Sequence, residues 1–229
     1  MRAQIISLVN QKGGCGKTTV SMHLAGALAR RGRGMKVLVV DADPQGTATR
    51  WAASADDNEP FPASVVGLAA ANSKVHREVQ KFADDYDYIV IDCPPSADSQ
   101  VPQSALLITD VALVPIIPSP PDLWAAMGIV KTIEGAQTVN EAIKTRLVLN
   151  QLQPNTTLGR EALEILPQFG IKVARNSLSF RQVYRQCAAF GQTAHNFGFK
   201  AKEAIEEIEA LTDEVIALFM KEEARPANG

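Results

Sequence analysis

The run QIISLVNQKGGCGKTT, residues 4–19, most narrowly constrains how this chain folds. An apolar, β-branched stretch of strand length enters a loop with glycines at 13, 14 and 16, and a helical pattern follows from about Thr18 to Arg30. In such an arrangement glycines let successive backbone amides curl toward an anion, and the helix adds the positive end of its dipole. Gly13, Gly14 and Gly16 supply the curl. Lys17 is placed for the β- and γ-phosphate oxygens of a nucleotide, and the Thr18 hydroxyl for a bridging Mg2+. The usual G-x-x-x-x-G-K-[ST] spacing needs a glycine at position 11. Gln11 stands there instead, and an extra lysine, Lys12, precedes the glycine pair.

The segments KVLVVDAD, YDYIVIDCPP, ALVPIIP and TRLVLNQ read as further strands, with another near IKVARN. Helical patterns lie between or after them over HREVQKFA, from about Asp122 to Val139, over TLGREALEIL, and from about Ala201 to Lys221. The last carries Ile205, Ile208, Leu211, Val215, Leu218 and Phe219 on one stripe, which should dock on the sheet. Alternating strands and helices predict an α/β fold, a mostly parallel twisted sheet flanked by helices. The inner strands are apolar throughout, as strands covered on both faces should be. One domain over residues 1–221 and a frayed polar tail over 222–229 are expected.

Strand-terminal acids supply what a magnesium triphosphate site also needs. Asp41 and Asp43 follow one apolar run and Asp92 closes another, in a Walker B pattern. Mg2+ keeps several waters, so Asp41 and Asp92 are expected to act on it through water. Asp43, two residues on and on the same side of the pleat, is the candidate to orient the attacking water. Cys15 is read as small filler in the loop, where a helix N-terminus also favours a thiolate.

With 229 residues, 46% of them apolar, the chain has enough material for a substantial core. A formal net charge of -2 argues against a surface that coats polyanions all over, so any such contact must be a local patch. Cys15, Cys93 and Cys187 form no C-x-x-C pair and suit a reducing compartment. The opening MRAQIISLVN flows straight into the glycine loop, which predicts no signal peptide. No apolar run approaches the roughly 20 residues of a membrane span. A cytoplasmic protein is expected.

Taken together, KGGCGKTT, VVDADPQGTAT, YIVIDCPP and SLSFRQVYRQ resemble the deviant Walker A ATPases of the ParA family, most of all its short plasmid-partition members of the ParF type. The resemblance covers essentially the whole chain. It implies a P-loop NTPase fold, ATP and Mg2+ as cofactors, and ATP hydrolysis with Lys12, Lys17 and Asp43 in catalytic roles. The loop from Lys12 through Gly13, Gly14, Cys15, Gly16, Lys17, Thr18 and Thr19 would hold the nucleotide, with Asn150 at the adenine edge. It also implies that Lys12 reaches the phosphates of a second subunit, making a homodimer with ATP sandwiched inside.

From Lys172 to Lys202 the chain has no acidic residue, whereas eight acids fall between Glu203 and Glu223. Such segregation is the footprint of a local phosphate-binding face. The resemblance implies nonspecific DNA binding there when ATP pairs two copies, with Arg181 and Arg185 at i,i+4 spacing as first candidates and Lys200 and Lys202 beside them. Phe180 and Tyr184 are read as helix core. A centromere-binding ParB-like partner would read DNA sequence and stimulate hydrolysis, since no helix-turn-helix module fits before Ile5. The implied role is plasmid or chromosome segregation over the nucleoid, with no membrane contact. The alternative is a ParA-like ATPase that positions a protein cargo such as an organelle or receptor cluster. A MinD-like division regulator fits less well, because the final helix is acidic rather than basic.

Overall fold

A computed structural model describes residues 2–95, 99–153, 166 and 170–220. Its strands are β1 (Gln4–Leu8), β2 (Val37–Asp41), β3 (Ser64–Gly67), β4 (Tyr88–Asp92), β5 (Val111–Ile116) and β6 (Lys144–Leu149). They form one sheet in the order β3-β2-β4-β1-β5-β6, with every pairing parallel. The helices are α1 (Lys17–Ala29), α2 (Thr47–Ala53), α3 (Val75–Gln80), α4 (Gln100–Leu106), α5 (Pro120–Gln137), α6 (Gln182–Ala189) and α7 (Lys202–Met220), with 3-10 segments at Ala69–Lys74 and Ala194–Ala201.

Strand side chains alternate between two cores. Ile6, Leu8, Val39, Val90 and Leu113 pack with α1, α2, α6 and α7, whereas Ile5, Val40, Ile89, Ile91 and Val114 pack with α3, α4 and α5. Both faces are therefore dry, which explains the continuous apolar strands. The apolar stripe of α7 docks as its spacing predicts, with Ile208, Leu211, Val215 and Leu218 buried. The chain leaves β1 through α1 toward one side of the sheet and leaves β4 through α4 toward the other. This divergence opens a crevice at the carboxyl ends of β1 and β4, the place where open α/β sheets bind ligands.

IKVARN does not form the expected strand; it makes a single bridge, Leu147 to Val173. The cause is competition for its backbone: the amides of Arg175 and Asn176 donate to the Glu214 carboxylate of α7 at 3.0 and 3.2 Å, not to a neighbouring strand. β3, α2 and α4 have no counterpart among the elements expected from sequence, because each is short and weakly patterned. Most of TLGREALEIL, and the tail from residue 221 on, lie outside the described residues.

After α6 the chain turns at Gly191, φ 64°, where an added Cβ would fall 2.0 Å from the Ala55 backbone nitrogen. Gly34 has a similar φ of 82° with open space around it. Gly34→Ala should therefore cost only the left-handed penalty, about 1 kcal/mol, and Gly191→Ala about 3 kcal/mol or more because backbone must also move. Urea midpoints test this, and equal midpoints for the two variants would show that the 191 turn yields freely.

Candidate functional site

The glycine loop is braced from three sides. Asn10 donates to the Pro115 carbonyl at 2.7 Å and accepts the Lys12 amide at 3.0 Å. From the end of β6, Asn150 Nδ2 donates to the Cys15 carbonyl at 2.7 Å and Gln151 Nε2 to the Gly14 carbonyl at 2.8 Å. The backbone at Gly14 and Gly16 is left-handed, and a Cβ on Gly16 would fall 2.1 Å from Asn150 Nδ2. Only glycine permits that approach. Gly16, the residue before α1, offers no capping side chain, so the first turn of the helix has no side-chain oxygen on its amides, an arrangement suited to an anion. Lys17, almost fully buried, curls back to the Lys12 carbonyl at 3.0 Å.

Two of the metal-side candidates touch. Thr18 Oγ1 donates to Asp92 Oδ2 at 2.6 Å, and Ser21, one helical turn further, donates to Asp92 Oδ1 at 3.2 Å. Burial pushes the Asp92 carboxyl up to about 7, with Asp41 adding repulsion, while bonds from Thr18 and Ser21 and the charge of Lys17 oppose the rise. Asp41 sits beside Asp92 in register. Its carboxylate accepts the Thr49 amide at 2.8 Å and the Thr49 hydroxyl at 2.9 Å, so here it ties α2 to the sheet. The pleat argument for Asp43 does not hold, because β2 ends at Asp41. Asp43 lies in the following turn, accepting the Gln45 amide at 2.9 Å.

Lys12 is held within its own chain. Its Nζ lies 3.7 Å from Oδ1 of Asp122, whose side chain is 9% exposed against 40% for Lys12. The other Asp122 oxygen accepts the Ser119 hydroxyl in the first turn of α5. A Ser-x-x-Asp pattern signals a helix cap, and nothing in the sequence ties that cap to Lys12. Cys15 is buried, as small filler should be, but the expected favouring of its thiolate needs correction: burial pushes its pKa up despite Lys17 nearby. Thr19 and Asn150 line one small cavity together. Asn150 itself is expected at a base edge, and here its amide nitrogen serves the loop.

The basic face is less basic than its sequence. Arg181 precedes α6 in an extended conformation and pairs with Glu203 and Glu207 of α7. The expected i,i+4 pairing with Arg185 on a helix therefore does not form. Arg185 stacks over Phe180, 4.8 Å from the ring centroid. Lys202 pairs loosely with Glu206 at 3.8 Å, and Lys200 is exposed on the 3-10 segment. Tyr184 is core as expected, but Phe180 is exposed.

An uncapped helix start, a left-handed glycine curl, a buried lysine and a hydroxyl bonded to a carboxylate match the donor set that a magnesium nucleoside triphosphate needs. Residues 6–194 match the family model described as the CobQ/CobB/MinD/ParA nucleotide binding domain. Over 215 residues, 94% of this chain and 97% of the relative, the sequence is 34% identical to the maintenance of carboxysome distribution protein A of Halothiobacillus neapolitanus. The ATP complex of a Cyanothece McdA variant superposes with a TM-score of 0.77 at 14% identity, covering 98% of this chain and 99% of that one. The cobyrinic acid a,c-diamide synthase of Mycobacterium smegmatis with bound ADP and magnesium superposes with a TM-score of 0.71 at 20% identity, covering 96% of each chain. At these identities the structural matches speak for the fold alone.

The raised Asp92 carboxyl carries a pH signature. Its ordinary value is 3.8 and its folded value about 7, so between them the unfolded chain releases this proton while the nucleotide-free fold keeps it. Stability from this group therefore falls as pH rises through that window. Asp92→Asn has no proton to release, so without nucleotide or metal it should gain roughly 2 kcal/mol on the wild type between pH 5 and pH 8. Denaturant titrations at both pH values measure it; a constant difference would mean that Asp92 is ionised throughout.

Proposed function

The chain belongs to the CobQ/CobB/MinD/ParA nucleotide-binding family, and from that premise we propose that it is a ParA-type ATPase whose ATP-bound dimer grips nonspecific DNA and positions a cargo. The observation that carries the ATPase reading is the uncapped start of α1 with Lys17, Thr18 and Asp92 grouped around it. In this reading the amides of Gly13 to Thr19 and the Lys17 ammonium would bind the phosphates, while Thr18 would hold Mg2+ directly and Asp92 and Asp41 through water. Bound Mg2+ supplies charge neutralisation on the phosphate oxygens. Asp43, on the half-exposed turn after β2, orients the attacking water.

Lys12 is assigned the contact in trans. Its half-exposed ammonium sits at the mouth of the loop, and a triphosphate on a second copy offers it a stronger acceptor than Asp122. Nucleotide then joins the two copies. Dimerisation doubles a weak cationic face, and affinity for duplex DNA climbs steeply with the number of phosphates neutralised. With Arg181 occupied by glutamates, Arg185 and Lys200 are the stronger DNA candidates, and Lys202 is secondary. Through that grip the protein would reside on the nucleoid.

Of the two cargo readings, positioning of a protein cargo is favoured over plasmid segregation. What supports it is the 34% identity, over almost the full length of both chains, to a protein named for carboxysome distribution. A partner protein stimulating hydrolysis fits either cargo. Deleting the gene and imaging the cell separates them: lost spacing of a protein cluster supports the first reading, and plasmid loss with clusters in place supports the second.

Lys12→Ala should bind ATP within about threefold of the wild type yet show no ATP-dependent dimer in sedimentation, since its proposed partner is on the other copy. Retained dimerisation would remove the trans role. Arg185→Glu should keep the dimer but weaken DNA binding and flatten its salt dependence by a slope of about 1. An unchanged slope would place the DNA face elsewhere.

A further inference from the structure

Glu207 lies in the first half of α7, away from the glycine loop, yet its bonds converge on the loop's neighbourhood. Its carboxylate accepts the Ser179 amide at 3.0 Å, the Ser179 hydroxyl at 2.6 Å, Arg181 Nε and Nη2 at 3.1 and 2.8 Å, and the Tyr184 hydroxyl at 3.0 Å. All these donors belong to the stretch Ser179–Tyr184, which leads into α6 and forms its first turn. The same stretch is tied to the residues after β6: Leu152 donates to the Leu178 carbonyl at 3.0 Å and accepts the Phe180 amide at 2.9 Å. Those residues in turn brace the glycine loop through Asn150 and Gln151.

Between the two lies a cavity of about 70 Å³, lined by Thr19, Asn150 and Gln151 on the loop side and by Phe180, Tyr184 and Arg185 on the other. In the reading of the loop as an ATP site, the far end of the phosphate chain would lie toward Lys17 and Asp92, and the nucleoside would leave past Thr19 toward this cavity. The space admits only part of a nucleoside, so small displacements of the Ser179–Arg185 wall change the fit. Neutralising Arg181 is not the whole task of Glu207. Glu203 also pairs with Arg181, and three of the five bonds to Glu207 come from Ser179 and Tyr184.

Resting on the reading of the loop as an ATP site, we propose that Glu207 is a positioning residue for the nucleoside: it fixes the wall that adenosine meets and so determines how much adenosine adds to phosphate binding. Ser179 and Tyr184 transmit that placement, and α7 becomes part of nucleotide selection without touching nucleotide.

The experiment compares ATP with inorganic tripolyphosphate, both with Mg2+, in calorimetric titrations of the full chain. Glu207→Gln should weaken ATP about tenfold, leave tripolyphosphate within about twofold, and raise the KM for ATP with kcat at saturation unchanged. Ser179→Ala, which removes one of the contacts and leaves the carboxylate in place, should weaken ATP about threefold. Equal losses for ATP and tripolyphosphate in both variants would reduce Glu207 to general scaffolding and overturn the proposal, as would unchanged ATP affinity. A wild-type chain that binds neither ligand would sink the ATP reading itself, whereas one that binds both equally would show that no nucleoside wall exists.

Discussion

A helix that begins without a capping side chain governs the site. The first-turn amides of α1 have no intrahelical partners, and Gly16 contributes no side-chain oxygen in their place. The fold tolerates this because the opposite polarity of the loop is well satisfied: the carbonyls of Lys12, Gly14 and Cys15 accept from Lys17, Gln151 and Asn150. These loop carbonyls are thus satisfied by protein donors. That asymmetry suits the end of β1 to the anion proposed for it.

Electrostatics in the crevice follows from burial. Asp92 and Asp41 lie side by side at the ends of neighbouring strands, both almost fully buried, with Lys17 nearby. Asp41 is bonded to Thr49, whereas Asp92 faces hydroxyls on α1. Two carboxylates that look equivalent at strand ends therefore have different contacts, one tying α2 to the sheet and the other positioned against the helix that follows the glycine loop. The same logic sets Lys12 apart from Lys17. Lys17 is enclosed by its own loop, while Lys12 stands at the rim, held by a carboxylate that also caps α5.

The C-terminal third shows how folding redistributes charge. An uninterrupted basic stretch followed by an acidic helix reads as two separate surfaces, yet α7 folds back along the basic stretch. Glu203 and Glu207 take Arg181, Glu206 approaches Lys202, and Glu214 takes the backbone amides of Arg175 and Asn176. Arg31, just past the end of α1, meanwhile pairs with Glu209 and Asp213. Arg181, at the centre of the apparent polyanion-binding face, is internally neutralised, and the acids of α7 shape the segment beside the glycine loop.

Local covalent preference and short periodicity are written in the linear chain, and the features that rest on them were legible there. Gly14 and Gly16 dictated a left-handed curl, the dry apolar runs dictated a parallel sheet covered on both faces, and Ile208, Leu211, Val215 and Leu218 dictated the docking face of α7. Thr18 and Asp92, far apart in the chain, could be picked out as site residues because each stands at a fixed place relative to a strand end. Contacts between distant segments were settled only by packing: Asn150 and Gln151 brace the loop, Asp122 holds Lys12, burial raises rather than lowers the Cys15 thiol, and Glu207 claims Arg181. Pairing and desolvation are properties of a three-dimensional neighbourhood. A linear chain records which charges exist, and the packing of α5, α6 and α7 around the sheet selects which of them meet.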